Sequence, residues 1–311
     1  MNMATKLGTG ISKHDITYYF LLQLSSAFML SAAHNVLYFV LDIKLFVTQF
    51  LHYFFTFLFL SLIKYANFVP AINQTSSRQH LLIAAGFKLF ETCLSSMANS
   101  HNRTGELYLV RVFDFLTTGS VIAWCGTGAN SNGKPMRPEP YLLIPLAVSV
   151  SISWFEPGQL EYTSSSMFCA FLLPFARAAS LISLRKCFEV MSVGHITAFT
   201  LEYCKYVSAL LFIPATISYL RSSVEVTASW ESIDYVLMSL SFLFMICNLY
   251  SEIWLQLSLN FGQFLAFDNT KYLLASCAQW IIQNMAHPNI LAFGAKLVAF
   301  SCIFRIWAKS S

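Results

Sequence analysis

Long apolar runs recur along the whole chain, and they restrict the possible folds more than any other feature of the sequence. Short polar segments separate each run from the next. A helix needs about 20 mostly apolar residues to cross the hydrocarbon core of a bilayer. The sequence therefore predicts an all-α polytopic membrane protein with ten transmembrane helices. The ten predicted spans are 17–40, 45–66, 79–98, 107–126, 140–155, 162–184, 195–220, 234–257, 261–284 and 288–308.

The composition agrees with a chain that lies mostly inside a bilayer. Of its 311 residues 56% are hydrophobic and 11% are charged, whereas soluble domains carry about 25% charged residues. This leaves no length for a soluble catalytic domain, and we expect no enzyme. The eight cysteines are scattered through apolar segments without a C-x-x-C pair, so they are interpreted as small apolar fillers. No metal site, cofactor or nucleic-acid partner is expected.

The longest polar loop, 126–140, resembles a phosphate-binding loop only in part. Gly128, Gly133 and Lys134 have the required spacing. Pro135, however, stands where a Ser or Thr would bind magnesium, and no strand precedes the loop. The loop is therefore interpreted as a flexible basic connector between two halves, about 16–126 and 140–308, which hold five spans each.

The distribution of positive charge predicts the orientation of the chain. Ten spans put both termini on one side, and ten lysines and arginines fall on that side. The opposite side carries only Lys44, Arg103 and Arg221. Because positive residues concentrate in cytosolic loops, both termini are predicted to be cytosolic.

Two spans in equivalent positions of the halves carry charge within the apolar sequence. The fourth contains Arg111 and Asp114, and the ninth contains Asp268 and Lys271. A cation at this depth costs about 2.5–3.5 kcal/mol on insertion scales, so it should face a cavity or a partner. One interpretation is a self-neutralised structural pair, since residues three apart share a helix face. The other is that each carboxylate orients a cation that binds an anionic substrate.

Other polar residues inside the predicted spans have two possible roles. Each could face a substrate cavity, or could form contacts that hold neighbouring helices together. His52 could form a buried hydrogen bond or contact a substrate. Tyr250 and Tyr272 could pack, or could stack on a ring or bind a phosphate. The charged members of this set are Lys88 with Glu91, Lys205 with Glu202, Arg177, and Lys296.

The order of these residues resembles the triose-phosphate/nucleotide-sugar translocator branch of the drug/metabolite transporter superfamily, over nearly the whole chain. Arg111-x-x-Asp114 falls where that family has a K-x-x-E-P motif, and Thr48–His52 resembles its Thr…His pattern. Similar segments are Asn35-x-x-Tyr38 with Lys44, FCAFLLPFARAASLISLRK at 168–186, Asn269–Tyr272 and AFGAKLVAFSCIFRIWAK at 292–309.

Three departures bear on the substrate. Arg111 replaces a lysine, Phe115 replaces a proline, and Tyr272 replaces a second basic or hydroxyl residue. The loss of that second charge argues against triose-phosphate exchange.

The resemblance implies two inverted five-helix repeats around a central site, with alternating access. It also implies antiport of a nucleotide sugar or sugar phosphate, in a Golgi or endoplasmic-reticulum membrane. Arg111 and Lys271 would hold the phosphate, oriented by Asp114 and Asp268. His52, Lys205, Tyr250 and Tyr272 are the other candidate substrate contacts. The expected partners are this small anionic metabolite, its counter-substrate and the lipid bilayer, and a homodimer is left open.

Two other functions compete with this expectation. The chain could transport a neutral or cationic solute, in which case nucleotides and phosphate would not inhibit it. It could also be a membrane scaffold that does not transport, with charged pairs that serve only the structure.

Overall fold

The structure is a computed structural model that describes residues 13–39, 45–66, 68, 78–99, 145, 148–149, 164–191, 195–220, 231–259, 264, 267–268 and 290–310. Within these ranges the protein is all-helical, with seven helices and no strand. The helices are α1 (Lys13–Phe39), α2 (Leu45–Tyr65), α3 (Arg78–Asn99), α4 (Ser164–Met191), α5 (Ile196–Leu220), α6 (Ser232–Ser258) and α7 (Ile290–Ser310).

Three of these helices are long and apolar enough to cross a membrane: α2 over Phe46–Tyr65, α5 over Ile196–Leu220, and α6 over Ser239–Ser258. At 1.5 Å per residue they measure about 30 to 38 Å, and the hydrocarbon core is about 30 Å thick. Large apolar side chains such as Leu62, Phe212 and Leu220 are exposed on them, which is favourable in lipid. The chain is therefore a helical membrane protein, as its composition predicts.

The chain divides into two compact units. The first comprises residues 1–93 and 183–258, and the second comprises 94–182 and 259–311. Each unit thus takes helices from both of the halves predicted from the sequence. The connecting loop 126–140 lies outside the described residues, so the division into two halves remains a prediction.

In the first unit α2 packs mainly against α5, and α1 packs mainly against α6. Helix α2 also packs against α6, so these four helices share one core. Aromatic rings fill the contacts: Phe55 stacks on Phe242 at 4.1 Å between centroids, and Phe50 meets Phe212 edge to face at 5.8 Å. Such pairs add about 0.5–1.5 kcal/mol beyond the burial of area alone.

In the second unit Leu94 packs with Cys169 and Ala176 of α4 in a small apolar cluster. Pro174 lies inside α4, one turn before Arg177. Because proline has no N–H, the helical hydrogen bond to the carbonyl of residue 170 is missing. Helix α4 therefore has a point of weak backbone support near its only charged residue in the apolar section 168–184.

Candidate functional site

His52 belongs to a polar stripe on α2 that faces the interior of the first unit. Thr48, His52 and Thr56 are four residues apart and therefore share one face of the helix, and all three are buried. The Thr56 hydroxyl donates a hydrogen bond to the His52 carbonyl at 2.7 Å. The stripe points away from lipid, and both roles predicted for His52 remain compatible with this position.

Two buried tyrosines meet next to this stripe. Tyr53 of α2 and Tyr203 of α5 are almost fully buried, with ring centroids 6.2 Å apart in an edge-to-face arrangement. Glu91 of α3 and Glu252 of α6 lie within electrostatic range of the two phenols. The centre of the first unit therefore combines the buried rings of two tyrosines with polar side chains from the neighbouring helices.

The two glutamates near these tyrosines have different partners. Glu91 forms an ion pair with Lys88, with 3.0 Å between Oε1 and Nζ. Glu252 accepts a hydrogen bond from the amide of Gln256 at 3.3 Å. Among the described residues, no lysine or arginine lies within ion-pair distance of Glu252. Glu252 is thus a carboxylate in a membrane-crossing helix whose nearest described partner is neutral.

Tyr250 lies in a group of aromatic and hydroxyl side chains from three helices. Its hydroxyl is 2.8 Å from the Thr197 hydroxyl of α5, and its ring centroid is 6.1 Å from that of Tyr19 in α1. Tyr19 also stacks on Trp254 at 4.1 Å. Tyr250 is therefore held at both its ring and its hydroxyl, which agrees with a packing role and leaves a contact with substrate as a prediction.

Replacing Tyr250 with phenylalanine separates packing from substrate binding. The variant keeps the ring contact and loses one hydrogen bond, so we expect the free energy of unfolding to fall by about 1 kcal/mol. If Tyr250 acts only in packing, the KM for substrate will stay unchanged. A tenfold rise in KM, in addition to this small loss of stability, would show instead that the hydroxyl contacts the substrate.

A second polar network, which was not predicted from the sequence, joins α1 to α6. Gln23 is fully buried and donates from Nε2 to Asn248 Oδ1 at 3.5 Å. The Ser251 hydroxyl donates to Gln23 Oε1. Hydrogen bonds between membrane helices contribute about 0.6 kcal/mol on average. Gln23 and Asn248 are polar residues in otherwise apolar runs, and this was the signal available in the sequence.

Lys205 lies on the surface of the first unit. Its side chain is 56% exposed, and its ammonium is 3.9 Å from Glu202, the partner predicted from the three-residue spacing. Its neighbour Cys204 is fully buried, so the lysine side chain points away from the core. Lys205 can therefore contact only a substrate that is bound outside the interior of this unit.

The second unit contains a part-buried ion pair that joins two predicted spans. Arg177 of α4 contacts Asp268 through Nη2 and Oδ2. The side chains are 21% and 7% exposed, and Asp268 follows the fully buried Phe267. The sequence offered Lys271 as the neighbour of Asp268, but Lys271 lies outside the described residues. The structure thus supplies a partner for Arg177 that is 91 positions away in the sequence.

Four of the predicted site residues, Arg111, Asp114, Lys271 and Tyr272, lie outside the described residues, so their roles remain predictions. Lys296 of α7 is described and buried. No group of three or more potential metal ligands occurs in the described part of the chain. Of the four remaining candidates, His52, Lys205 and Tyr250 belong to the first unit and Asp268 to the second.

Comparison with known proteins adds no assignment to this geometry. The chain matches no model of a known protein family, and it has no match among curated protein sequences.

Proposed function

We propose that the chain is a secondary transporter that exchanges a phosphorylated or nucleotide-linked sugar for a second anion by alternating access. The observation that carries this proposal is the part-buried Arg177–Asp268 pair. Ionisable side chains within membrane spans are costly and commonly mark the path of a substrate or ion. Arg177 is, like Arg111 and Lys271, a cation that is predicted to lie at membrane depth.

The proposed architecture is ten spans in two inverted five-helix repeats, and one contact in the first unit supports it. Inverted repeats are related by a two-fold axis in the membrane plane. The second and seventh spans, α2 and α5, would then be equivalents, and they pack on each other. Tyr53 is the ninth residue of α2, Tyr203 is the eighth of α5, and their rings meet. Residues at matching positions of the two repeats contact each other when they lie close to the two-fold axis, and Tyr53 and Tyr203 are nearly such a pair.

In this mechanism the cations bind the phosphate and the other polar groups contact the sugar or base. Arg111 and Lys271 hold the anion, and Asp114 orients Arg111. His52, Lys205, Tyr250 and Tyr272 are the candidate contacts to the rest of the substrate. An empty cavity lined by cations is costly to close because the charge is buried without its anion. Exchange is therefore favoured over one-way transport, with both termini cytosolic in a Golgi or endoplasmic-reticulum membrane.

The test is transport by the purified protein in liposomes. Vesicles loaded with UMP, GMP or glucose phosphate would be offered labelled UDP-sugars, GDP-sugars and sugar phosphates in turn. We expect accelerated uptake of one class, dependent on the internal anion and absent from vesicles without protein. If none of these anions exchanges, the proposal is wrong.

A second candidate function, transport of an organic cation, is favoured by Glu252. A carboxylate next to buried aromatic rings is suited to binding a cation, since both attract positive charge. The side chains concerned are Glu252, Tyr53 and Tyr203.

Choline uptake by the wild type and by Glu252→Gln decides between the two functions. Uptake that nucleotides do not inhibit, and that Glu252→Gln abolishes, supports the cation transporter. Anion exchange that survives in Glu252→Gln supports the exchanger.

A further inference from the structure

The position of Asp268 gives it a second role, beyond orienting Lys271, that depends on the proposed transport function. Asp268 contacts the guanidinium of Arg177, and both groups are largely buried in the second unit. A guanidinium binds a carboxylate and a phosphate through the same planar set of N–H donors. The bond to Asp268 is therefore of the type that a substrate phosphate would form.

We propose that Asp268 is an internal substitute for the substrate anion and allows the carrier to return across the membrane without a substrate. In the empty state the carboxylate neutralises Arg177. When a phosphorylated substrate arrives, its phosphate takes the place of the carboxylate on the guanidinium. When the substrate leaves, Asp268 binds Arg177 again.

Three observations support an exchange of partners at Arg177. The Arg177 side chain is 21% exposed and the Asp268 side chain 7%, so an anion reaches the guanidinium more readily than the carboxylate. The two residues come from different helical segments, so the pair can separate without unwinding either one. Pro174 lies one turn before Arg177, where the backbone of α4 lacks a hydrogen bond and bends more easily.

The consequence concerns the mode of transport rather than the choice of substrate. A carrier whose cations are all bare when it is empty must wait for a counter-anion before it can reorient. Asp268 neutralises one of these cations, Arg177, in the empty carrier, so net transport should occur alongside exchange. Net efflux in the wild type is therefore expected at a tenth or more of the exchange rate.

The experiment compares efflux in two modes from liposomes loaded with tritiated UMP and radiolabelled glucose phosphate. Exchange is measured with the same anion outside, and net efflux is measured with none outside. Asp268→Asn should lower net efflux at least tenfold relative to exchange, because the empty carrier then carries Arg177 without this counter-charge. Asp268→Glu should keep the wild-type ratio. The double variant Arg177→Gln/Asp268→Asn, which removes both charges, should recover the ratio with a higher KM.

The matched control is Glu91→Gln, which removes a carboxylate from the Lys88–Glu91 ion pair of the first unit. It should leave the ratio of net efflux to exchange unchanged. An unchanged ratio in Asp268→Asn overturns the inference while exchange by the wild type stands. Net efflux by the wild type below a tenth of the exchange rate overturns the inference without any variant. If neither anion moves in either mode, the proposed function itself fails.

Discussion

Replacing Lys271 with alanine is expected to abolish anion exchange while the protein remains folded. A hydrogen bond to a charged group contributes about 1.5–3 kcal/mol, which corresponds to a loss of about 10- to 150-fold in affinity. The variant also removes a positive charge that the bound phosphate needs in a medium of low dielectric constant. The initial rate of exchange in proteoliposomes measures the effect, and thermal unfolding in detergent checks the fold.

The matched control for this experiment is Lys64→Ala. Lys64 lies in the last turn of α2, at the end of a membrane-crossing helix, and it is not a candidate for substrate binding. Its replacement should leave the exchange rate within about twofold of the wild type, since charges at helix ends contribute about 0.3–1 kcal/mol, mainly to helix stability. Normal transport by Lys271→Ala would show that the phosphate is held elsewhere.

Replacing Arg177 with glutamine is expected to lower the free energy of unfolding by about 3–5 kcal/mol. Removing one member of a largely buried ion pair takes this counter-charge away from the other member, and this costs more than the pair contributes. The double variant Arg177→Gln/Asp268→Asn has no such charge and should recover most of the loss. The measurement is unfolding in mixed micelles with increasing SDS, for the wild type, the two single variants and the double variant.

The Lys88–Glu91 pair provides the comparison for this double-mutant cycle of Arg177 and Asp268. Its side chains are 20% and 16% exposed, and its members are three residues apart on one helix. Pairs of this kind contribute about 0.2–0.5 kcal/mol. The coupling energy for Arg177 and Asp268 should exceed that for Lys88 and Glu91 severalfold. Equal coupling energies would mean that the Arg177–Asp268 pair contributes no more than a local pair within one helix.

Seven of the ten apolar runs coincide with helices in the described part of the chain. The run 45–66 corresponds to Leu45–Tyr65, and 195–220 corresponds to Ile196–Leu220. Agreement is good because lipid requires backbone hydrogen bonds to be satisfied within each helix, so apolar length alone indicates the element. Helix α4 differs, since it continues to Met191 past the predicted end at 184. Arg185 and Lys186 end the apolar run without ending the helix.

The side-chain partners were harder to predict than the helices. Spacing along the sequence indicated the Lys88–Glu91 and Lys205–Glu202 pairs, because both are local to one helix. It could not indicate that Asp268 contacts Arg177, since that contact depends on how two distant segments pack. The network of Gln23, Asn248 and Ser251 was missed for the same reason.

The wide sequence separation of Arg177 and Asp268 has a consequence for biogenesis. In the proposed topology, α4 emerges from the ribosome 91 residues before the carboxylate that contacts its arginine. At about 5–20 residues per second, the nascent chain waits roughly 5 to 20 s with an arginine that the translocon disfavours by about 2.5–3.5 kcal/mol. Release of this segment into lipid should therefore be delayed until the ninth span has been synthesised. Chains truncated before residue 268 should remain with the insertion machinery and be degraded.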